Sequence, residues 1–324
     1  MGADPLITTV RISMLAICMA AAARSDYYTL TVRDWHWIKW GAPTALLLGL
    51  ELASNDVGFA NIAMVFALIA AFSYCFMPPP DISIAKNWDG VQASLFLTYA
   101  IGFAGLLGGA SSHHDVELVD LIVGEESAEA TLWWSLLGAL ITIVVFIYAW
   151  RLRLIQGSAD VKALVLVTLM FPSWAFLPDQ MFLQTDSIPR IPPSMALFIW
   201  AGAAFILAAP LIFVQNLSLG NISSIQDLKM AWHATKKPIS DIGESPSWIL
   251  TDVIENEGEI AVVNRILPIR KPISEAGVSL DLEALHSMGV EHVWVATKHP
   301  FIVYLFFAIL PLLLFGDPIS SIIK

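Results

Sequence analysis

The sequence predicts an all-α polytopic membrane protein, a bundle of about six to eight transmembrane helices with a small cytoplasmic α+β region. Three observations carry that expectation. Hydrophobic residues make up 57% of the 324-residue chain and charged residues 14%, with a mean hydropathy of +0.70. Soluble domains are nearer ~45–50% apolar and ~25% charged, and one this apolar would expose patches large enough to aggregate. The apolar residues also gather into runs of roughly 20, the length that spans a bilayer core. Finally, lysine and arginine are unevenly shared between alternate connections.

Taken in order, the runs fall at about 6–24, 37–53, 57–76, 91–109, 132–150, 161–177, 195–215 and 300–315. The first, Leu6–Ala23, ends in four alanines as a cleaved signal would. No basic residue precedes it, only Asp4, and Arg11 lies inside it, so it is read as a retained span. The second, sixth and eighth runs are short, and Pro172 and Pro311 are expected to kink the helices that hold them. Eight is therefore the best count, with six or seven as the alternatives.

With the N-terminus outside, 14 of the 17 lysines and arginines fall on the cytoplasmic side. Arg190 and Lys324 fall outside, and Arg11 sits in the first span. The short loops alone, which weigh most, favour the same orientation. The loop at 110–131 carries six acidic residues and no basic one, as an outer loop would.

These boundaries divide the chain into a membrane core at 1–215, a cytoplasmic soluble region at 216–298 and a C-terminal transmembrane helix at 299–324. The soluble region reads as short strands at Trp248–Ile254, Glu259–Leu267 and His292–Ala296, with a short helix near Leu280–Ser287 stopped by Gly289. About 80 residues can bury a modest core.

Several function classes are disfavoured. The net charge of −11 includes no basic stripe of the kind that tracks nucleic acid. Cys18 and Cys75 are too few for a four-cysteine zinc site, and His113-His114 has no fixed ligand spacing. Neither HExxH nor GxSG occurs.

Asp26 follows the first run and Asp160 precedes the sixth. Four runs lie between them, an even number, so both aspartates are expected at one face, the cytoplasmic one. Trp35, Trp37 and Trp40 read as interfacial anchors. Gly157-Ser158-Ala159 is small enough to let a neighbouring backbone approach Asp160. Two carboxylates brought together do not both ionise readily. One then activates water while the other donates a proton, which is the condition for aspartic proteolysis. The plain alternative is a pair of solvated aspartates at helix ends. Lys162 reads as a side chain that snorkels to the interface, with charge stabilisation beside Asp160 as the other reading. Arg11 reads as snorkelling or lining the bundle.

The stretch Ala23-Arg24-Ser25-Asp26-Tyr27-Tyr28-Thr29-Leu30-Thr31-Val32-Arg33-Asp34-Trp35-His36-Trp37 resembles the first aspartate motif of archaeal preflagellin and type IV prepilin-like signal peptidases. Its features are an aspartate after helix one, an aromatic next, a β-branched residue six on, an acidic residue eight on and a tryptophan eleven on. Gly157-Ser158-Ala159-Asp160-Val161-Lys162 resembles the second motif of this family, GxGD followed by x-K. Val293-Trp294-Val295-Ala296-Thr297-Lys298-His299-Pro300-Phe301, with Gly316-Asp317 beyond, is similar to the closing segment of the preflagellin branch. Together the three cover about a sixth of the chain.

The resemblance implies a membrane aspartic endopeptidase with Asp26 and Asp160 as the catalytic pair and Gly157, Ala159 and Lys162 supporting the second motif. It implies substrates with class III signal peptides, a short basic segment ahead of an apolar helix, cut at the cytoplasmic membrane face. It implies no metal and no cofactor. There are departures. Ala159 replaces the second glycine. Tyr28 stands where a basic residue often sits, so that residue's contacts are not carried over. The interval between the aspartates is longer than in compact members, as an inserted helical hairpin would make it. The cysteine-containing zinc loop and N-methylation activity of bacterial relatives are absent, which leaves peptidase activity alone. Two alternatives remain: a transporter or channel that uses the two aspartates for cations or protons, and an inactive homologue that only holds precursors. Transporter sites usually lie at the midplane rather than at one face.

Overall fold

The computed structural model describes residues 4–82, 89–123, 125–155, 157–179, 191–242, 247–256, 259–265, 285–297 and 300–322. A helix stands at each of the eight apolar runs. These are α1 (Pro5–Thr29), α2 (Asp34–Ser54), α3 (Phe59–Ser73), α4 (Gly90–Ser112), α6 (Ala128–Arg151), α7 (Ser158–Met170), α8 (Pro193–Ser218) and α10 (Phe301–Phe315). Short helices α5 (Leu118–Val123), α9 (Ile225–Met230) and α11 (Pro318–Ile322) lie between or after them. The protein is mostly helical and embedded in the membrane, with a small α+β region. Among the described residues, four helices are long and apolar enough to cross a bilayer: α1, α4, α6 and α8. α3 and α10 are shorter apolar helices.

The chain folds as two compact units, one of residues 1–26, 31–202 and 301–324, the other of 27–30 and 203–300. The division between the units falls inside α8. The end of that helix joins the second unit because the Asn216 amide donates to the carbonyls of Ala231 (2.9 Å) and Ala234 (2.7 Å). Phe213 adds a stack on Trp232, ring centroids 4.3 Å apart.

In the first unit, α1 buries a stripe of Thr8, Arg11, Leu15, Cys18, Met19, Ala22, Ala23 and Asp26. This is the three-to-four spacing of one helix face, and it puts Arg11 and Asp26 on the same side of the helix. α7 has no such stripe: every residue from Val161 to Met170 is buried. Apolar all round, it packs against α2, α3, α6 and α10. Protein surrounds it, so 13 residues, roughly 20 Å, suffice where lipid contact would demand more. The run read from sequence as 161–177 stops at Met170 for a local reason. Pro172 forces its predecessor out of the helical region, and Phe171 is extended at φ −132°. Pro172 ends the helix instead of kinking it.

In the second unit, a three-stranded antiparallel sheet has the order β1 (Thr235–Pro238), β5 (His292–Thr297), β2 (Ser247–Ile249). Beside it stands a hairpin, β3 (Thr251–Asn256) with β4 (Glu259–Asn264). Strand β5 is central, and its alternation buries Val293 and Val295 in one cluster with Leu285 and Trp294 in the other with Met230, Ala231, Ala234 and Leu250. The Trp294 backbone N–H donates to the Thr251 hydroxyl (2.9 Å), which in turn bonds Asn264 (2.8 Å). The three segments read from sequence correspond to four of these strands, because Leu250 separates β2 from β3 within the first segment. Residues 266–267 of the expected second strand and 280–284 of the expected helix lie outside the described residues. The helix end at 285–287 is present and closes on Gly289, at φ +76°, where the N–H of Val290 returns to the Leu285 carbonyl (3.1 Å).

Candidate functional site

Asp26 sits in the last turn of α1 and is buried, 8% exposed. The chain then reverses through Leu30 at φ +51°, and the Ser25 hydroxyl donates to the Thr31 carbonyl (2.8 Å). The backbone N–H of Ile302, in the first turn of α10, donates to the Asp26 carboxylate. A helix N-terminus presents unpaired N–H groups and the positive end of its dipole, so it holds an anion well.

Asp160 is the third residue of α7, and Gly157 is its N-cap. The Asp160 carboxyl folds back over the helix start. A Cβ at Gly157 would collide with Asp160 Oδ2. The first glycine of the motif is therefore space for the carboxylate itself. Ala159 is half-buried against the core and its methyl is accommodated, so this position does not need glycine.

The two aspartates lie within electrostatic reach of one another, the charge of Asp26 acting on the Asp160 carboxyl. Among the described residues no lysine, arginine or histidine pairs with either.

Lys162 does not snorkel, contrary to the reading from sequence. It is 6% exposed, its ammonium lies 2.5 Å from Asp34 Oδ1 and 5.1 Å from the centre of the Phe76 ring. Packing on all sides of α7 closes its route to water, so the half-exposed carboxylate of Asp34 reaches the ammonium instead. Asp34 is the acidic residue eight positions after Asp26, and the pair thus ties the second motif to the first. Lys162 neutralises Asp34 rather than either aspartate of the dyad.

Trp37 is also corrected. It is fully buried and packs edge-on against His36, ring centroids 5.0 Å apart, so it is a core residue and not a belt anchor. Trp35 is exposed and Trp40 is half-buried. His36 Nε2 lies 3.2 Å from the Cys18 carbonyl and 3.4 Å from its sulfur, which fixes α2 against α1.

The closing segment divides by role. Val293–Ala296 belongs to β5, and residues 298–299 lie outside the described residues. Asp317 is 1% exposed and accepts from the N–H groups of Ile191 (3.1 Å) and Ile319 (2.9 Å) and from the Ser320 hydroxyl (3.0 Å). It caps α11.

Two groups escaped the sequence reading. The Ile302 N–H is a backbone group with no residue signature. Glu51 pairs with Arg11 at 2.6 Å, both below 4% exposed, and the Arg11 guanidinium lies 5.0 Å from the Phe176 ring centre. Arg11 thus lines the bundle, as one of its two readings held. An acidic residue inside the second apolar run was the signal for its partner.

Neither a family model nor a curated protein matches this chain.

Proposed function

We propose that the protein is a membrane aspartic endopeptidase that removes the signal peptide of preflagellin-like and prepilin-like precursors. The observation that carries this reading is the placement of Asp26 at the end of α1 and Asp160 at the start of α7 within electrostatic reach of each other, neither paired with a cation among the described residues. Like charges held in one site share a proton. The ionised member takes a proton from water and the resulting hydroxide attacks the scissile carbonyl. The protonated member donates to the carbonyl oxygen; on collapse of the gem-diol the amine leaves with the proton first drawn from water, while the other carboxylate recovers a proton from a diol hydroxyl. The substrates would carry a basic segment ahead of an apolar helix and be cut at the cytoplasmic face.

The test is cleavage of a preflagellin-like precursor by detergent-solubilised protein. Wild type is expected to give mature product with a bell-shaped pH dependence, since only the singly protonated pair works. Asp26→Asn and Asp160→Asn are each expected to abolish it. Cleavage surviving either substitution removes that aspartate from the mechanism. No cleavage of several precursors, together with aspartate-dependent cation flux in vesicles, would make the protein a transporter.

A further inference from the structure

Away from the aspartates, α3, α4 and α6 leave a cavity of about 360 Å³ between them. Ala71, Tyr74, Tyr99, Phe103, Val144 and Tyr148 are among its lining residues. Its walls are apolar and lie within helices that meet the bilayer, so hydrocarbon is the medium it faces. At one end it is not apolar. Arg151, in the last turn of α6, is exposed, and its guanidinium lies 5.6 Å from the centre of the Tyr74 ring. Arg153, two residues on, is exposed as well. No carboxylate pairs with Arg151 among the described residues.

We propose that this groove holds one acyl chain of an anionic phospholipid, with Arg151 binding the phosphate. An apolar cavity between transmembrane helices capped by a basic residue at the membrane surface is the arrangement that recognises an acidic headgroup. Charge decides between occupants. The apolar helix of a precursor would bring its basic segment against Arg151 and Arg153, which repel it, whereas a phosphate is attracted. The inference rests on the membrane embedding of the helical unit and not on the peptidase reading. It still bears on that site, because Tyr74, against which Arg151 lies, is two residues from Phe76, whose ring centre is 5.1 Å from the Lys162 ammonium. The lipid headgroup would therefore sit close to the ion pair that joins the two aspartate motifs.

The experiment is native mass spectrometry of the purified chain in mild detergent, offered equal amounts of phosphatidylglycerol and phosphatidylcholine with identical acyl chains. Wild type is expected to retain one phosphatidylglycerol with at least a five-fold preference. Arg151→Gln is expected to lose the preference, and Arg151→Lys to keep most of it, which separates loss of charge from loss of fold. Val144→Trp, which fills the groove from a lipid-facing position, is expected to lose retention of both lipids. The proposal is overturned if wild type shows no preference, if Arg151→Gln keeps it, or if Val144→Trp retains phosphatidylglycerol undiminished.

Discussion

Helix α1 carries two charged residues on one buried face, Arg11 near one end and Asp26 near the other, roughly 22 Å apart along the axis. Their surroundings differ in kind. Arg11 meets an opposite charge, Glu51, and is closed off under Phe176. Asp26 meets a like charge, Asp160, and the nearest motif lysine is turned aside to Asp34. A closed pair of opposite charges has no reason to exchange protons. A pair of like charges has no stable way to keep both. The same helix thus separates an ionic contact that holds the bundle from one suited to chemistry, and burial alone does not tell them apart.

The largest effect should come from breaking the first contact. Arg11→Met leaves Glu51 buried and uncompensated, and Glu51→Gln does the same to Arg11. Each is expected to cost about 3–5 kcal/mol, read as a lower thermal midpoint in detergent. The double variant Arg11→Met with Glu51→Leu should recover most of that loss, since hydrophobic replacement of a buried pair is often neutral. Precursor cleavage per folded molecule should be unchanged. Loss of cleavage in a variant that stays folded would show the two ends of α1 to be coupled and would end the contrast.

The Lys162–Asp34 pair sharpens the contrast because its partners are unequally buried, 8% and 58% exposed by side chain. Asp34→Asn leaves a buried ammonium with half its interaction gone, at a cost of about 1–3 kcal/mol. Lys162→Met leaves only a carboxylate that water can reach and should cost less than about 1 kcal/mol. Equal losses on unfolding would mean that Asp34 is held as tightly as Glu51.

Asp227, in the second unit, is a third kind of carboxylate. Burial alone would raise it, but hydrogen bonds from the Ser223 hydroxyl and N–H, the Trp294 indole and Ser224 outweigh burial and bring it down to about 2. A carboxyl depressed in the folded state stabilises above its unfolded value and loses that contribution as pH falls. The stabilisation, up to about 2 kcal/mol, should therefore disappear between about pH 4 and pH 2. Trp294 fluorescence during acid unfolding checks it, and Asp227→Asn should flatten the pH dependence over that window.

Where patterns were periodic or parity-based, the sequence disclosed the outcome. All eight apolar runs became helices, and four intervening runs sufficed to return Asp160 to the neighbourhood of Asp26. What stayed hidden depended on neighbours. Lys162 looked free to snorkel because a sequence does not show that α7 is packed on every side. Trp37 looked like a belt residue because a tryptophan near a span end has the same letter whether it faces lipid or core. Strand β1, Thr235-Lys236-Lys237-Pro238, carries two lysines and a proline, the composition of a protected sheet edge and a poor strand signal. The Ile302 N–H donor has no letter at all.

The smallest expected change in stability belongs to Gly157→Ala, and it tests the dyad most closely. The added methyl would collide with the Asp160 carboxylate, but what it meets is the end of a rotatable side chain. Gly157 is not at positive φ: it stands at −83°, which alanine adopts freely. The fold should therefore hold to within about 0.5 kcal/mol. The carboxylate, however, has to swing off the helix start, and displacement of a reacting group by an ångström costs on the order of 10²-fold in rate. The variant is expected to keep the wild-type thermal midpoint while cleavage of the precursor falls by about 10–100-fold with little change in KM. Unchanged cleavage would mean that the folded-back position of Asp160 is a resting place and that the carboxylate leaves it whenever it works. The glycine would then serve the helix start rather than the chemistry.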